Sequence, residues 1–245
     1  MSPFDCVDRA FVINLEHRTD RRHEMERELH CIGVAPDSER LVWFNGIRPE
    51  TAGPFPSRGA RGCFMSHLGV LRAACHAGVR RMLIFEDDVD FCVDFVARFP
   101  YLIEALDQQD WSFFYGSYRI DEPIDLGRSE GLRSVDATLG IGLLQFVAVQ
   151  GQAISELVAY LEAMLERPAG HPSGGPMHVD GAYSWFRREH PHRRTFIAVP
   201  ALGHERSSRS DIHELSWFDR AVFVRSLAQY WRQERWRRSL RMRTN

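Results

Sequence analysis

Short, almost wholly apolar runs recur along this chain: Phe11-Val12-Ile13-Asn14-Leu15, Leu41-Val42-Trp43-Phe44, Met82-Leu83-Ile84-Phe85 and Thr195 to Val199. Each is too short for a globular helix and is rich in β-branched or aromatic side chains, so each reads as a buried strand. Trp111 to Tyr115 and Leu143 to Val149 read the same way. Between them the period changes. Phe64, Leu68, Leu71 and Cys75 fall at i, i+4, i+7 and i+11, one helical stripe that Gly78 ends. Thr19 or Asp20 can cap an earlier helix, and Gln152 to Glu166 and Val179 to Arg188 are further helices. Strands alternating with helices define an α/β fold with a mostly parallel central sheet flanked by helices. Residues 1–215 read as one domain, followed over 216–245 by a C-terminal basic amphipathic helix. Residues 46–62, 119–142, 168–177 and 200–215 are rich in loop-forming residues and read as loops.

Composition removes several chemistries. All 31 basic residues among the Lys+Arg are arginine, so no Schiff-base lysine and no P-loop lysine exists. Five cysteines without a CxxC pair read as buried thiols in a reducing compartment. The opening MSPFDCVDRA has acids where a secretory signal has basic residues, and no segment approaches the roughly 20 apolar residues of a membrane span. A cytoplasmic protein is the expectation. The formal net charge is −2, yet Trp217 to Asn245 carries eight arginines against Asp219 and Glu234. With Trp, Phe and Leu interleaved, that segment suits either the headgroup layer of an anionic membrane or a packed terminal helix. An acidic body without a recognised binding motif argues against nucleic acid.

The most informative site is LIFEDDVDF, a buried strand running straight into three carboxylates. Open α/β sheets place ligands at this end of their strands. Glu86 and Asp88, two apart on extended chain, can converge on one ligand. Like charges so close favour a compensating cation, and an all-oxygen donor set suits Mg²⁺ or Mn²⁺. The same residues also serve as ordinary helix caps or turn acids.

FVINLEHRTDRR, GARGCFMSHLGVLRAA, LIFEDDV and SSRSDI, in that order, resemble glycosyltransferase family 25. That family includes bacterial lipopolysaccharide glycosyltransferases and animal collagen galactosyltransferases, and the chain is most similar to the bacterial branch. The resemblance implies a glycosyltransferase type A, Rossmann-like fold. It also implies an inverting transfer, commonly from UDP-galactose with a divalent metal. It puts Glu86-Asp87-Asp88 in the place of the family's metal-binding acids, with Asp88 the direct metal ligand. Glu86 or Asp87 would assist or bind the ribose.

Other residues fit such a site. Asn14 ends the first strand, where a base or ribose would lie. Arg18, Arg21 and Arg22 can reach a diphosphate or can belong to a solvated helix start. Ser66 and His67 would sit in the first turn after the Gly-rich loop, where free N–H groups favour anions, although His67 also borders the apolar stripe as a packed histidine would. Asp180 opens a helix after a Gly/Pro loop and is the candidate base for the acceptor hydroxyl, or a plain N-terminal acid. Residues 203–214 add His204, Arg206, Ser208, Arg209 and Asp211, with Ser208 and Arg209 suited to the donor diphosphate. The expected activity is transfer of a hexose from a UDP-sugar to a saccharide acceptor, lipid-linked and of the lipopolysaccharide class. The alternative is an inactive family member acting as a membrane-associated scaffold.

Overall fold

The computed structural model describes residues 3–35, 37–124 and 130–206. The C-terminal helix expected over 216–245, with Ser208, Arg209 and Asp211, lies outside the described residues, as does the SSRSDI motif.

The elements run β1 (Arg9–Asn14), α1 (Thr19–Cys31), β2 (Leu41–Asn45), α2 (Arg58–His76), β3 (Arg81–Glu86), β4 (Val89–Phe91), α3 (Phe95–Asp107) and β5 (Phe113–Tyr115). They continue with β6 (Gly131–Val135), β7 (Phe146–Gln150), α4 (Gln152–Leu165), α5 (Val179–Glu189), β8 (Thr195–Val199) and β9 (Gly203–Glu205). Seven strands form the main sheet in the order β2-β1-β3-β7-β5-β8-β6, and β4 pairs with β9 in a small second sheet. β1, β2, β3, β5 and β8 point one way, while β7 and β6 oppose them, so the sheet is mostly parallel by strand direction.

Side chains alternate across each strand, and the two faces bury separate cores. Phe11, Met82, Ile84, Phe113, Val147 and Ile197 meet the stripes of α2, α4 and α5. Val12, Leu83, Phe85, Phe114, Ala148 and Phe196 meet Met25 and Leu29 of α1 and Phe95, Phe99 and Leu106 of α3. A sheet covered on both faces can receive a ligand only along an edge or across the strand ends. That geometry puts the carboxyl ends of β1 and β3, paired through Ile13 and Glu86, at an open rim.

Several expected boundaries move. α2 begins at Arg58, capped by Ser57 Oγ, which accepts from the Ala60 N–H at 3.0 Å, so RGARG is helical in spite of its glycines. Gly62 is required there, because a Cβ would stand 2.6 Å from the Ile47 carbonyl oxygen. The expected strands at 111 and 143 begin later, at Phe113 and Phe146, and Leu143 takes a φ of 69°. The loop expected over 119–142 contains β6, paired antiparallel with β8, and the loop expected from 200 contains β9.

Candidate active site at the carboxyl rim of the sheet

The three carboxylates leave β3 in different directions and meet different partners. Asp87 is buried and held from two elements: Asn14 Nδ2 donates to Oδ2 at 2.7 Å, and Arg21 Nη1 donates to Oδ1 at 2.8 Å. Arg21, itself buried in α1, also donates to Asp88 Oδ2 at 3.2 Å. Glu86 turns toward α2, where its Oε1 receives His67 Nε2 at 3.1 Å and Cys63 Sγ at 3.4 Å. Arg21 thus clamps Asp87 and Asp88 together, whereas Glu86, which the spacing paired with Asp88, is engaged by His67 and Cys63 of α2.

Their electrostatics differ accordingly. Burial, followed by the charge of Glu86, pushes Asp88 up to about 7, against a smaller downward pull from Arg21. Asp87 is also raised by burial, with Arg21 and Asn14 opposing. Glu86 is buried too, but the His67 hydrogen bond, with Cys63 and Arg21, holds it below the usual carboxylate range. Asp88 Oδ1 is buried and has no hydrogen-bond partner among the described residues. A buried carboxylate oxygen in that condition calls for a cation or a proton. A carboxylate oxygen of this kind suits a hard divalent ion, although the metal-type donor cluster among the described residues is Cys63, His67 and Glu86.

The other expected residues divide. Asn14 gives both amide hydrogens inward, to Asp87 and to the Arg18 carbonyl at 3.2 Å. Arg18 forms a forked pair with Asp20, at 2.9 Å from Nε and 2.8 Å from Nη2. Arg22 stacks on Trp43 at 4.2 Å and pairs with Glu26. Ser66 and His67 require correction, because α2 starts at Arg58 and both lie well inside it, where no free helix-start N–H exists. Ser66 Oγ donates to the Gly62 carbonyl and accepts from the Ile47 N–H, which ties the preceding loop to the helix. His67 is fully buried, with Tyr183 OH 3.3 Å from Nδ1. Arg206 is likewise engaged within the protein, by Asp90 at 2.6 Å and Glu24 at 2.9 Å, and its backbone N–H donates to the Asp88 carbonyl. His204 is exposed on β9, 3.9 Å from Asp90.

Asp180 stands in the first turn of α5 and lines a cleft of about 390 Å³ with Arg119, Asp121, Glu122, Trp185 and Arg188. Its Oδ1 accepts from the Gly181 N–H at 2.8 Å. Burial and Glu86 push the Cys63 thiol up, with a lesser contribution from Asp180. Cys63 and Tyr183 escaped notice in the sequence. The i, i+4 relation of Cys63 to His67 was the one available signal.

An open α/β sheet of this kind receives its ligand outside the carboxyl ends of its strands. The fold matches that of a glycosyltransferase involved in the glycosylation of the major capsid of PBCV-1, with TM-score 0.50 and 12% identity over 82% of this chain and 93% of that one. Residues 7–122, a little under half of the chain, match the model of glycosyltransferase family 25 (LPS biosynthesis protein). Procollagen galactosyltransferase 1-A of Xenopus laevis is 31% identical over 137 residues, covering 47% of this chain and 22% of that protein. An inactive glycosyltransferase 25 family member 3 of Homo sapiens is 29% identical over 126 residues, 44% of this chain and 21% of that protein. The matches span about a fifth of the length of these relatives.

Proposed function

We propose that this protein is a metal-dependent, inverting glycosyltransferase that moves a hexose, galactose first among them, from a UDP-sugar to a saccharide acceptor. The observation that carries the reading is the buried Oδ1 of Asp88, without a hydrogen-bond partner among the described residues, at the rim of the segment that matches the family model. Asp88 would hold the divalent ion, Mn²⁺ or Mg²⁺, with Glu86 assisting, and Arg21 would keep Asp87 and Asp88 in place. When bound, the ion supplies Lewis-acid neutralisation of the departing diphosphate. Asp180 accepts the proton of the acceptor hydroxyl, whose oxygen attacks the anomeric carbon. The bond to the diphosphate oxygen breaks on the opposite face, and its electron pair leaves with UDP. Of the remaining donor-site candidates, Asn14 and Asp87 are assigned to the ribose. Arg18 and Ser208 with Arg209 are assigned to the diphosphate.

The acceptor class is that of lipopolysaccharide, presented on a lipid at the cytosolic face of a membrane. The basic segment after residue 216 would meet the anionic surface. Among the described residues no helix is long and apolar enough to cross a membrane. Release of UDP from UDP-galactose in the presence of Mn²⁺ tests the reading. Loss of release with EDTA and in Asp88→Ala is expected, and undiminished release in either sinks the metal assignment. The similarity to a relative named inactive favours a second reading, a non-catalytic scaffold. Calorimetry with UDP and Mn²⁺ separates the two: no heat of binding, with binding to anionic vesicles retained, selects the scaffold.

A further inference from the structure

Three chemically different donor atoms converge beside the acidic rim. Cys63 and His67 are four residues apart on α2, so Sγ and Nε2 project from one face of the helix. Glu86, at the end of β3, brings Oε1 to 3.1 Å from Nε2 and 3.4 Å from Sγ. All three ligand atoms lie within 4.8 Å of one another. In a tetrahedral zinc site, with bonds of about 2.0–2.3 Å, neighbouring ligand atoms stand roughly 3.3–3.7 Å apart. The two contacts to Glu86 are therefore already close to a coordination sphere.

We propose that Cys63, His67 and Glu86 form a second cation site, selective for a thiophilic divalent ion of the zinc class and separate in its anchor from the oxygen site at Asp88.

One contact beyond the cluster and two chemical arguments support it. Tyr183 OH stands 3.3 Å from His67 Nδ1 and fixes the ring edge-on at 88°, which leaves Nε2 directed at the other two donors. Metal-binding histidines are oriented by such an outer partner on the second nitrogen. The charges also balance. A thiolate and a carboxylate neutralise a dication, with the imidazole neutral, which suits a site flanked by the buried His67. Finally, sulfur and nitrogen donors discriminate against Mg²⁺ and toward zinc, so the two sites select different ions. On binding, the Cys63 S–H bond breaks, its proton leaves to solvent, and the sulfur electron pair forms the bond to the ion. No electron is transferred. Three protein ligands leave one position for water or an incoming ligand. Because Glu86 serves both sites, occupancy by a zinc-class ion withdraws it from Asp88, and zinc would inhibit the proposed transferase.

The binding needs no glycosyl transfer, so it can be tested whether or not the enzymatic reading holds. The reduced full-length chain is freed of metal and titrated with Co²⁺ as the optical probe. A thiolate-to-cobalt charge-transfer band saturating at a single equivalent is expected, bleached by Zn²⁺, absent in Cys63→Ser and retained in Asp88→Asn. Absence of the band in the wild-type chain overturns the proposal. So does its persistence in Cys63→Ser or its loss in a folded Asp88→Asn. Should Cys63→Ser fail to fold by circular dichroism, alkylation of wild-type Cys63 decides. Protection by stoichiometric Zn²⁺ in a peptide map supports the site, and unchanged alkylation refutes it.

Discussion

Replacing Asp88 with asparagine exchanges a buried carboxylate for a neutral amide of the same shape. Burial and Glu86 raise Asp88 from its ordinary 3.8 to about 7, so the folded chain holds this proton more tightly than the unfolded chain does. Linkage fixes the sign. The contribution of Asp88 to stability is undiminished below about pH 4, falls as pH rises from about 4 to about 7, and is constant above. Across that window each step of one in pH removes about 1.4 kcal/mol. Ionised Asp88 therefore costs the metal-free fold on the order of 4 kcal/mol at about pH 8 and about 2 kcal/mol at about pH 5. The substituted amide does not titrate. The altered hydrogen bond from Arg21, at 3.2 Å in the wild type, adds an offset that does not vary with pH. The stability of Asp88→Asn relative to wild type should therefore rise by roughly 2–3 kcal/mol between about pH 5 and about pH 8. Urea unfolding of both proteins in EDTA measures it. A difference that stays flat, or falls with pH, refutes the electrostatic account of the rim.

Added Mn²⁺ should stabilise the wild type by about 2.7 kcal/mol at a hundredfold excess over its Kd, and Asp88→Asn by far less, as read by thermal shift. Asp180→Asn should lower kcat of UDP release to the acceptor by about 10²–10⁴-fold with little change in donor KM, the signature of a lost base. If instead KM for the donor rises alone, Asp180 belongs to binding. Gly116→Ala should destabilise the fold by about 1–3 kcal/mol in urea, because a Cβ there overlaps Cδ1 and Cε1 of the buried Phe146 ring and stands 2.8 Å from its Cγ.

Much of the frame could be read from residues, and the exceptions have physical causes. The apolar runs of β1, β2, β3 and β8 are strands because both faces of the sheet are covered. β6 eluded this test: at the sheet edge, Gly131–Val135 is only partly buried and needs no continuous apolar run. α3 carries Phe95, Phe99, Leu102, Ile103 and Leu106 at helical spacing, but Pro100 interrupts the pattern to the eye without ending the helix. The Gly-rich start of α2 concealed the true cap at Ser57, and with it the depth at which Ser66 and His67 lie. Glu86-Asp87-Asp88 was visible as a cluster, whereas the partition of its partners was not. Arg21, Cys63 and Arg206 reach the rim from sequence separations of up to 119 residues, which only the tertiary fold closes.

The position of β7 bears on where this protein can be cut. The segment matched by the family ends at residue 122, yet β7, from Phe146 to Gln150, lies between β3 and β5 in the middle of the sheet. A fragment ending at 122 would expose the hydrogen-bonding edges of both strands and would lose the Arg206 strap over Asp90 and Glu24. The boundary of recognisable ancestry is therefore no boundary of folding. A growing chain would complete its acidic rim only after residue 206 had been made.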